Sequence, residues 1–199
     1  MILTIYDRPV VHIAADQITQ PWRKELCWYC ERYVKHNTDS AQRHPYMRGG
    51  VCVSTDLQHT ILSTDIMHFD TMLSVIMPLV QQHADLYVKQ TVKRLNYSYS
   101  WINLMQQGGE IHAHTDANDP TVALIATYYA QAAESSDLVF IDPRHPVSWP
   151  SEAANDHVVR LPVSQGDLVI FDTLITHAVD ARNCVGPRMT ISTEFRMEV

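Results

Sequence analysis

The spacing of apolar residues predicts helices in the first half of the chain. Between Trp22 and His36 the apolar positions recur at helical spacing and form one stripe, which is typical of an amphipathic helix. A second amphipathic stretch runs from about Thr64 to Leu95, and Pro78 is expected to kink or split it. The segment from Asn37 to Gly50 contains a proline and two glycines, so we expect a loop there.

From Asn96 onward the pattern changes to short runs of β-forming residues separated by turn residues. Such spacing is typical of an all-β sandwich or barrel, and these strands fit a double-stranded β-helix, or jelly roll. The predicted strands are Tyr97 to Met105, Thr121 to Ala130, Leu138 to Ile141, Val158 to Leu161, Leu168 to Phe171, Thr176 to Val179 and Met189 to Arg196.

Length and pattern together predict one domain of the α+β class, mainly β. The 199 residues are enough to bury a hydrophobic core. We expect a helical N-terminal support over residues 1–95 and a jelly-roll catalytic core over residues 96–199. No internal repeat or low-complexity tract interrupts either part.

Composition narrows the class of partner. Hydrophobic residues make up 46% of the chain and charged residues 19%, as in an ordinary globular protein. The net charge of −7 argues against a protein that holds nucleic acid by its phosphate backbone. No apolar run reaches the length of a membrane span, and the sequence carries no signal for an oligomeric state.

The cysteines and the N-terminal residues predict a soluble, cytoplasmic protein. The first residues contain the charged pair Asp7-Arg8 and show no signal-peptide pattern. Cys27-x-x-Cys30 lies inside the first predicted helix without a second such pair, so a closed zinc site lacks its other half. We therefore expect the cysteines to be reduced thiols without a role in metal binding.

Metal-ligand chemistry concentrates between Gly108 and Asp116. His114 and Asp116 are two residues apart, and in an extended segment such residues project to the same side. A third ligand is available in His177, which follows a strand-like run. Two histidines and one carboxylate form the facial triad of non-haem iron(II) oxygenases, which leaves coordination positions open for co-substrate and oxygen.

The order of His-x-Asp, a distal histidine and Arg-x-Thr resembles that of the 2-oxoglutarate and iron(II)-dependent oxygenases. The resemblance covers about half the chain, roughly Trp101 to Phe195. Within that superfamily, three further segments are similar to the prolyl-hydroxylase-like branch: Leu138 to Phe140, Tyr128-Tyr129 and Gly166 to Phe171.

The resemblance assigns further roles around the metal. Arg188 and Thr190 are expected to hold the far carboxylate of 2-oxoglutarate, because a guanidinium offers a planar fork to a carboxylate. Tyr129 is the tyrosine of its pair that reaches the same carboxylate in this branch. One of Tyr128 and Tyr129 must face inward, and parity alone does not say which, so both are candidate residues for binding the co-substrate. Asn103 and Trp101 are candidates to line the pocket, and Arg144 to border its mouth.

The resemblance also implies an activity. Iron(II), 2-oxoglutarate and O₂ are the expected cofactor and co-substrates, with ascorbate as a candidate auxiliary reductant. The expected reaction hydroxylates a C–H bond and releases succinate and CO₂. The expected substrate is either a small molecule or an amino-acid side chain, free or in a protein, and the resemblance favours the amino-acid side chain. The loop from Asn37 to Gly50 is a candidate lid.

Two alternatives stay open. His112 shares the face of His114 in an extended segment, so His112, His114 and His177 are a candidate three-histidine site of a cupin-like metalloprotein. Otherwise His112 is a second-shell or pocket-wall residue. The chain is also compatible with a non-catalytic jelly-roll binding module. An intact Arg188-x-Thr190 argues for catalysis, since such a module has no evident need of it.

Overall fold

The structure is a computed structural model of the 199-residue chain. It describes residues 1–36, 47–48, 52–56, 67–88, 91–105, 108–117, 123–132, 134, 137–145, 155–181 and 183–198.

Two α-helices and twelve strands are present in these residues. The helices are α1 (Arg23–His36) and α2 (Met67–His83), with short 3₁₀ turns at Ala15–Gln17, Ala84–Leu86 and Asn155–His157. The strands are β1 (Ile2–Ile5), β2 (Arg8–Ile13), β3 (Met47–Arg48), β4 (Cys52–Asp56), β5 (Arg94–Met105), β6 (Gly109–His114), β7 (Leu124–Gln131), β8 (Asp137–Ile141), β9 (Val158–Leu161), β10 (Leu168–Asp172), β11 (His177–Ala181) and β12 (Arg188–Glu198).

The strands form two antiparallel sheets that face each other as a jelly roll. The major sheet has the order β1-β2-β10-β7-β12-β5-β4, and the minor sheet has the order β3-β6-β11-β8-β9. Each strand alternates its side chains between two faces. We call the face of each sheet that is directed at the other sheet its inner face.

Apolar residues fill two layers. The layer between the sheets contains Phe140, Phe171 and Val179, all from inner faces. The other layer lies between the major sheet and the helices and contains Trp22 and Phe69. The helices therefore cover the outer face of the major sheet, while the inner faces enclose the space between the sheets.

The predicted jelly roll is confirmed, and each predicted strand is present with ends shifted by a few residues. The first ninety-five residues, however, are more than helical support. They contribute β1 to β4, and β2 pairs with β10 next to the centre of the major sheet. Tyr6 and Asp7 join β1 to β2 with φ values of 49° and 64°, so a tight turn closes this hairpin.

Helix α2 continues through Pro78 from Met67 to His83, so of the two expected effects of the proline, a kink or a split, the split does not occur. Ile76 and Val80 on either side of the proline are buried, and this packing outweighs the missing backbone hydrogen bond.

No helix within the described residues is long and apolar enough to cross a membrane. Cys27, Cys30 and Cys184 are buried free thiols. The candidate lid lies outside the described residues except for β3.

Candidate active site

The three predicted metal ligands lie together at one end of the minor sheet. His114 at the end of β6 and His177 at the start of β11 are direct cross-strand partners, with ring centroids 4.4 Å apart. Asp116 places Oδ1 3.6 Å from Nε2 of His114 and Oδ2 3.4 Å from Nε2 of His177. One ligand atom from each residue lies within 4.8 Å of the others, which is close enough for all three to meet one ion.

Backbone carbonyls orient both imidazole rings. Nδ1 of His114 lies 2.7 Å from the carbonyl oxygen of His112, and Nδ1 of His177 lies 3.1 Å from that of Ile175. Because a carbonyl oxygen only accepts, Nδ1 carries the proton in each ring. The lone pair of each Nε2 is therefore directed toward Asp116 and available to a metal, as in ligating histidines of known metal sites.

The charges in this cluster fit a divalent cation. Oδ2 of Asp116 is buried and has no hydrogen-bond partner among the described residues. Burial, together with the neighbouring His177, lowers the pKa of His114 to about 4, so the imidazole is neutral at physiological pH. A neutral imidazole and an unpartnered buried carboxylate are what a metal ion requires of its ligands. The donor set of two nitrogens and one oxygen fits iron(II).

His112 does not join this cluster. The pairing of β6 with β11 shifts register between His177 and Val179, so that Ile111 and His114 both pair with inner-face residues of β11. Among the described residues, the one group positioned to hold a metal consists of His114, Asp116 and His177. The structure therefore does not bring the side chains of His112, His114 and His177 together as the three-histidine alternative requires.

Arg188 is buried at the opposite end of the same interior, in a position suited to an anion. Its side chain is among the largest that are fully buried, with 1% of its surface exposed. The guanidinium carbon lies 5.0 Å from the ring centre of Tyr129, and Nη2 donates a long hydrogen bond of 3.4 Å to the tyrosine hydroxyl. Nε and Nη1 have no hydrogen-bond partner among the described residues. Burial lowers the pKa of Arg188, because the charged guanidinium is removed from water.

Thr190 and Tyr129 complete this pocket. Thr190 pairs directly with Tyr129 on one side and with Asn103 on the other, so all three lie in one row on the inner face of the major sheet. The hydroxyl oxygen of Thr190 is buried without a partner in the described part of the chain. The guanidinium, the threonine hydroxyl and the tyrosine hydroxyl are therefore potential hydrogen-bond donors that lie close together.

Tyr128 does not belong to the pocket, so its predicted role in co-substrate binding is wrong. Its ring lies in the layer between the major sheet and the helices, 6.3 Å from the ring of Trp22. Its hydroxyl donates a 2.7 Å hydrogen bond to Oε1 of Gln20. Successive residues of a strand face opposite sides, so Tyr129 takes the inner position and Tyr128 the outer one.

The two other candidate pocket residues lie in different places. Trp101 is half-buried and packs against the layer between the sheets, which places it on the inner face of β5. Arg144 is mostly exposed, and Nε and Nη2 both donate to the carboxylate of Asp142, the closest contact being 2.6 Å. The loop that contains Arg144 follows β8. The last residue of β8, Ile141, donates its backbone N–H to the carbonyl oxygen of Thr176. Arg144 is thus bound within its own loop.

A jelly roll with a His-Asp-His cluster at one end and a buried arginine at the other defines the class of a metal-dependent oxygenase. Residues 99–194 match the family described as putative 2OG-Fe(II) oxygenase. This part of the chain belongs to that family, and the protein is an enzyme of the 2-oxoglutarate and iron(II)-dependent class. No curated protein matches the sequence of the chain.

Solved structures of the same fold accord with this assignment. A prolyl-4-hydroxylase of Pseudomonas putida superposes with a TM-score of 0.62 at 14% identity, over 96% of this chain and 93% of that chain. The α-ketoglutarate-dependent epimerase SnoN of nogalamycin biosynthesis gives a TM-score of 0.65 at 16% identity, over 94% and 78%. HygX of Streptomyces hygroscopicus, with nickel and 2-oxoglutarate bound, gives 0.63 at 10% identity, over 94% and 82%. At these identities the likeness is one of fold.

Proposed function

We propose that this protein hydroxylates a C–H bond of an amino-acid side chain, free or within a protein, with release of succinate and CO₂. One observation carries the proposal. Two nitrogens of the buried guanidinium of Arg188, Nε and Nη1, have no hydrogen-bond partner among the described residues, and they lie in the same interior as the His-Asp-His cluster. A buried cation without a counter-charge is costly, so we expect this pocket to bind an anion that the described residues do not supply.

In this proposal His114, Asp116 and His177 hold iron(II). The bound metal, with 2-oxoglutarate and O₂, supplies an oxidant strong enough to break a C–H bond. The protein contributes the geometry of the ligands. The carbonyls of His112 and Ile175 hold the two rings through Nδ1 and keep Nε2 aimed at the metal position.

Arg188, Thr190 and Tyr129 bind the far carboxylate of 2-oxoglutarate in this proposal. The guanidinium contributes a two-point fork, and the two hydroxyls add single hydrogen bonds. Asn103, in the same row as Thr190, lines the wall of the pocket. Because Arg188 and the metal ligands lie at different ends, a dicarboxylate is held at one end and presented to the metal at the other.

Two observations weigh against the alternatives. A three-histidine site needs His112 beside His114 and His177, and it lies outside the group of residues whose ligand atoms converge. A non-catalytic module has no need of a buried arginine whose Nε and Nη1 lack hydrogen-bond partners among the described residues, because such a group destabilises the empty fold. The metal cluster and the proposed anion pocket belong to the same interior, which supports co-substrate turnover.

The test is conversion of 2-oxoglutarate to succinate by the purified protein with iron(II) and O₂. Candidate free amino acids and short peptides are added singly, and mass spectrometry detects a gain of one oxygen atom. Asp116→Ala serves as the inactive control. Succinate formed in step with an oxygenated substrate supports the proposal. Metal-dependent hydrolysis of an ester or phosphate without O₂ would move the protein to another class of enzyme.

A further inference from the structure

The inner face of β5 presents an aromatic pair that the co-substrate pocket does not use. Tyr99, Trp101 and Asn103 alternate along the strand, and Asn103 belongs to the row of Thr190 and Tyr129. The rings of Tyr99 and Trp101 stack with centroids 5.4 Å apart and an interplanar angle of 27°. Both residues are half-buried, so part of the aromatic surface stays accessible.

A carboxylate lies beside this aromatic pair. Glu194 of β12 pairs with Tyr99 on one side and with Ile125 of β7 on the other. Ile125 packs in the layer between the sheets, and the register of β12 is continuous with β7 from Thr190 to Phe195. Glu194 therefore shares the inner face with Thr190, and like the two aromatic residues it is half-buried.

The row that contains Glu194 leads to the metal ligands. Ile125 also pairs with Phe171 of β10, whose ring lies 4.9 Å from that of His177 in an edge-on contact. Neighbouring strands are about 4.8 Å apart, which places Glu194 about 10 Å from Phe171 across the sheet. Along β12, Glu194 is about 13 Å from Thr190, at about 3.3 Å per residue. Glu194 thus lies at the metal end, away from the pocket for the far carboxylate.

The charge of the residues at the metal end is opposite to that of the residues around Arg188. Arg188 and its hydroxyl neighbours attract an anion. A carboxylate beside partly accessible aromatic faces attracts a cation, because the ring faces carry negative electrostatic potential and the carboxylate forms charge-assisted hydrogen bonds. In a half-buried position these interactions are screened less than at an open surface.

We infer that Tyr99, Trp101 and Glu194 form a subsite for a positively charged group of the oxidised substrate, an ammonium or a guanidinium. The inference rests on the proposed function in that it names the class of substrate for the same active site. A basic amino acid, or a lysine or arginine side chain in a peptide, would carry such a group. The cation rests on the aromatic pair and Glu194, and its aliphatic stem extends toward the metal ligands.

The test compares charged compounds with neutral isosteres. L-arginine is paired with L-citrulline, L-lysine with L-norleucine, and N-acetyl-L-arginine methylamide with its citrulline counterpart. Binding is measured by anaerobic calorimetry on the protein loaded with iron(II) and 2-oxoglutarate. We expect the charged member of at least one pair to bind about ten-fold or more tightly than its isostere. The acetylated pair separates a free amino acid from a peptide as the source of the cation.

Glu194→Gln keeps the shape of the side chain and removes its charge, so it should reduce that preference to about three-fold or less. Glu198→Gln, at the exposed end of the same strand, is the matched control and should retain the full preference. Equal binding within every pair by the parent protein overturns the inference, and so does an undiminished preference in Glu194→Gln. Succinate formation, measured with the same panel, tests the proposed function separately. If the protein prefers the charged compounds but forms no succinate, the subsite is supported and the proposed function is not. If it forms succinate but shows no charge preference, the proposed function is supported and the subsite is overturned.

Discussion

Thr190 of β12 lies directly opposite Tyr129 of β7, and this pairing forms one wall of the pocket that we propose for the co-substrate. It brings the threonine hydroxyl, the tyrosine hydroxyl and the guanidinium of Arg188 into one buried corner. The neighbouring Tyr128 faces the helices instead. The two adjacent tyrosines therefore lie in different environments. Tyr129 lies beside the proposed anion pocket, and Tyr128 packs against the N-terminal segment.

Loss of a metal ligand should abolish iron binding. Asp116→Ala and His177→Ala are each expected to weaken iron(II) affinity by more than about a hundred-fold, because even residues that only orient ligands contribute ten- to a hundred-fold. Anaerobic metal titration measures the affinity. His112→Ala is the control and should bind iron nearly as well as the parent. Normal binding by both ligand variants with loss in His112→Ala would restore the three-histidine alternative.

Arg188→Ala should weaken binding of 2-oxoglutarate without affecting iron. Loss of a buried charge-assisted partner costs about 2–5 kcal/mol, or roughly thirty-fold to several thousand-fold in affinity. Arg188→Lys should recover only part of this, since an ammonium does not reproduce the two-point fork. The dissociation constant of 2-oxoglutarate is measured beside that of iron and the melting temperature. An unfolded variant, or one with parental affinity, would refute the assignment of Arg188.

The two tyrosines provide a matched pair of variants. Tyr129→Phe removes the hydroxyl beside Arg188 and should weaken 2-oxoglutarate binding by about 1 kcal/mol, or roughly five-fold. Tyr128→Phe removes the hydrogen bond to Gln20 and should lower the free energy of unfolding by about 1 kcal/mol while co-substrate affinity stays at the parental value. Calorimetric binding and urea denaturation separate the two effects. If Tyr128→Phe weakened co-substrate binding and Tyr129→Phe lowered only the free energy of unfolding, then Tyr128 and not Tyr129 would lie on the inner face of β7.

Substitutions at two glycines allow the stability cost of backbone strain to be measured separately from the cost of steric crowding. Gly166 and Gly186 have φ values of +92° and +95°, so alanine at either position is strained by about 1 kcal/mol. A Cβ at Gly186 meets nothing within 4 Å, whereas one at Gly166 would lie 2.8 Å from Oε1 of Gln20 and 2.9 Å from Cβ of Ala15. Gly166→Ala should therefore cost about 1–3 kcal/mol more than Gly186→Ala. Urea denaturation of the two variants measures the difference, and equal costs would contradict it.

Features that depend on local spacing were predictable from the sequence. His114-x-Asp116 and Arg188-x-Thr190 each place two side chains on one side of a strand, and the strand period of two residues is enough to infer this. Strands β5 and β7 to β12 were predictable for the same reason, because β-forming runs and turn residues alternate there. The β1–β2 hairpin was missed although its signal was present, since runs of β-branched residues flank the turn at Tyr6 and Asp7.

The remaining features depended on how distant strands pair. Parity separates Tyr128 from Tyr129, but only the sheet and helices that cover β7 decide which of them is inside. The register shift between β6 and β11 decided that His112 stays out of the metal cluster. Glu194 continues the period of Arg188 and Thr190, yet its place beside Tyr99 follows from the register of β12 with β5, which includes a bulge. The sequence by itself determined which residues share a face of one strand. The tertiary structure decided which face is enclosed, because that depends on contacts between residues far apart in the chain.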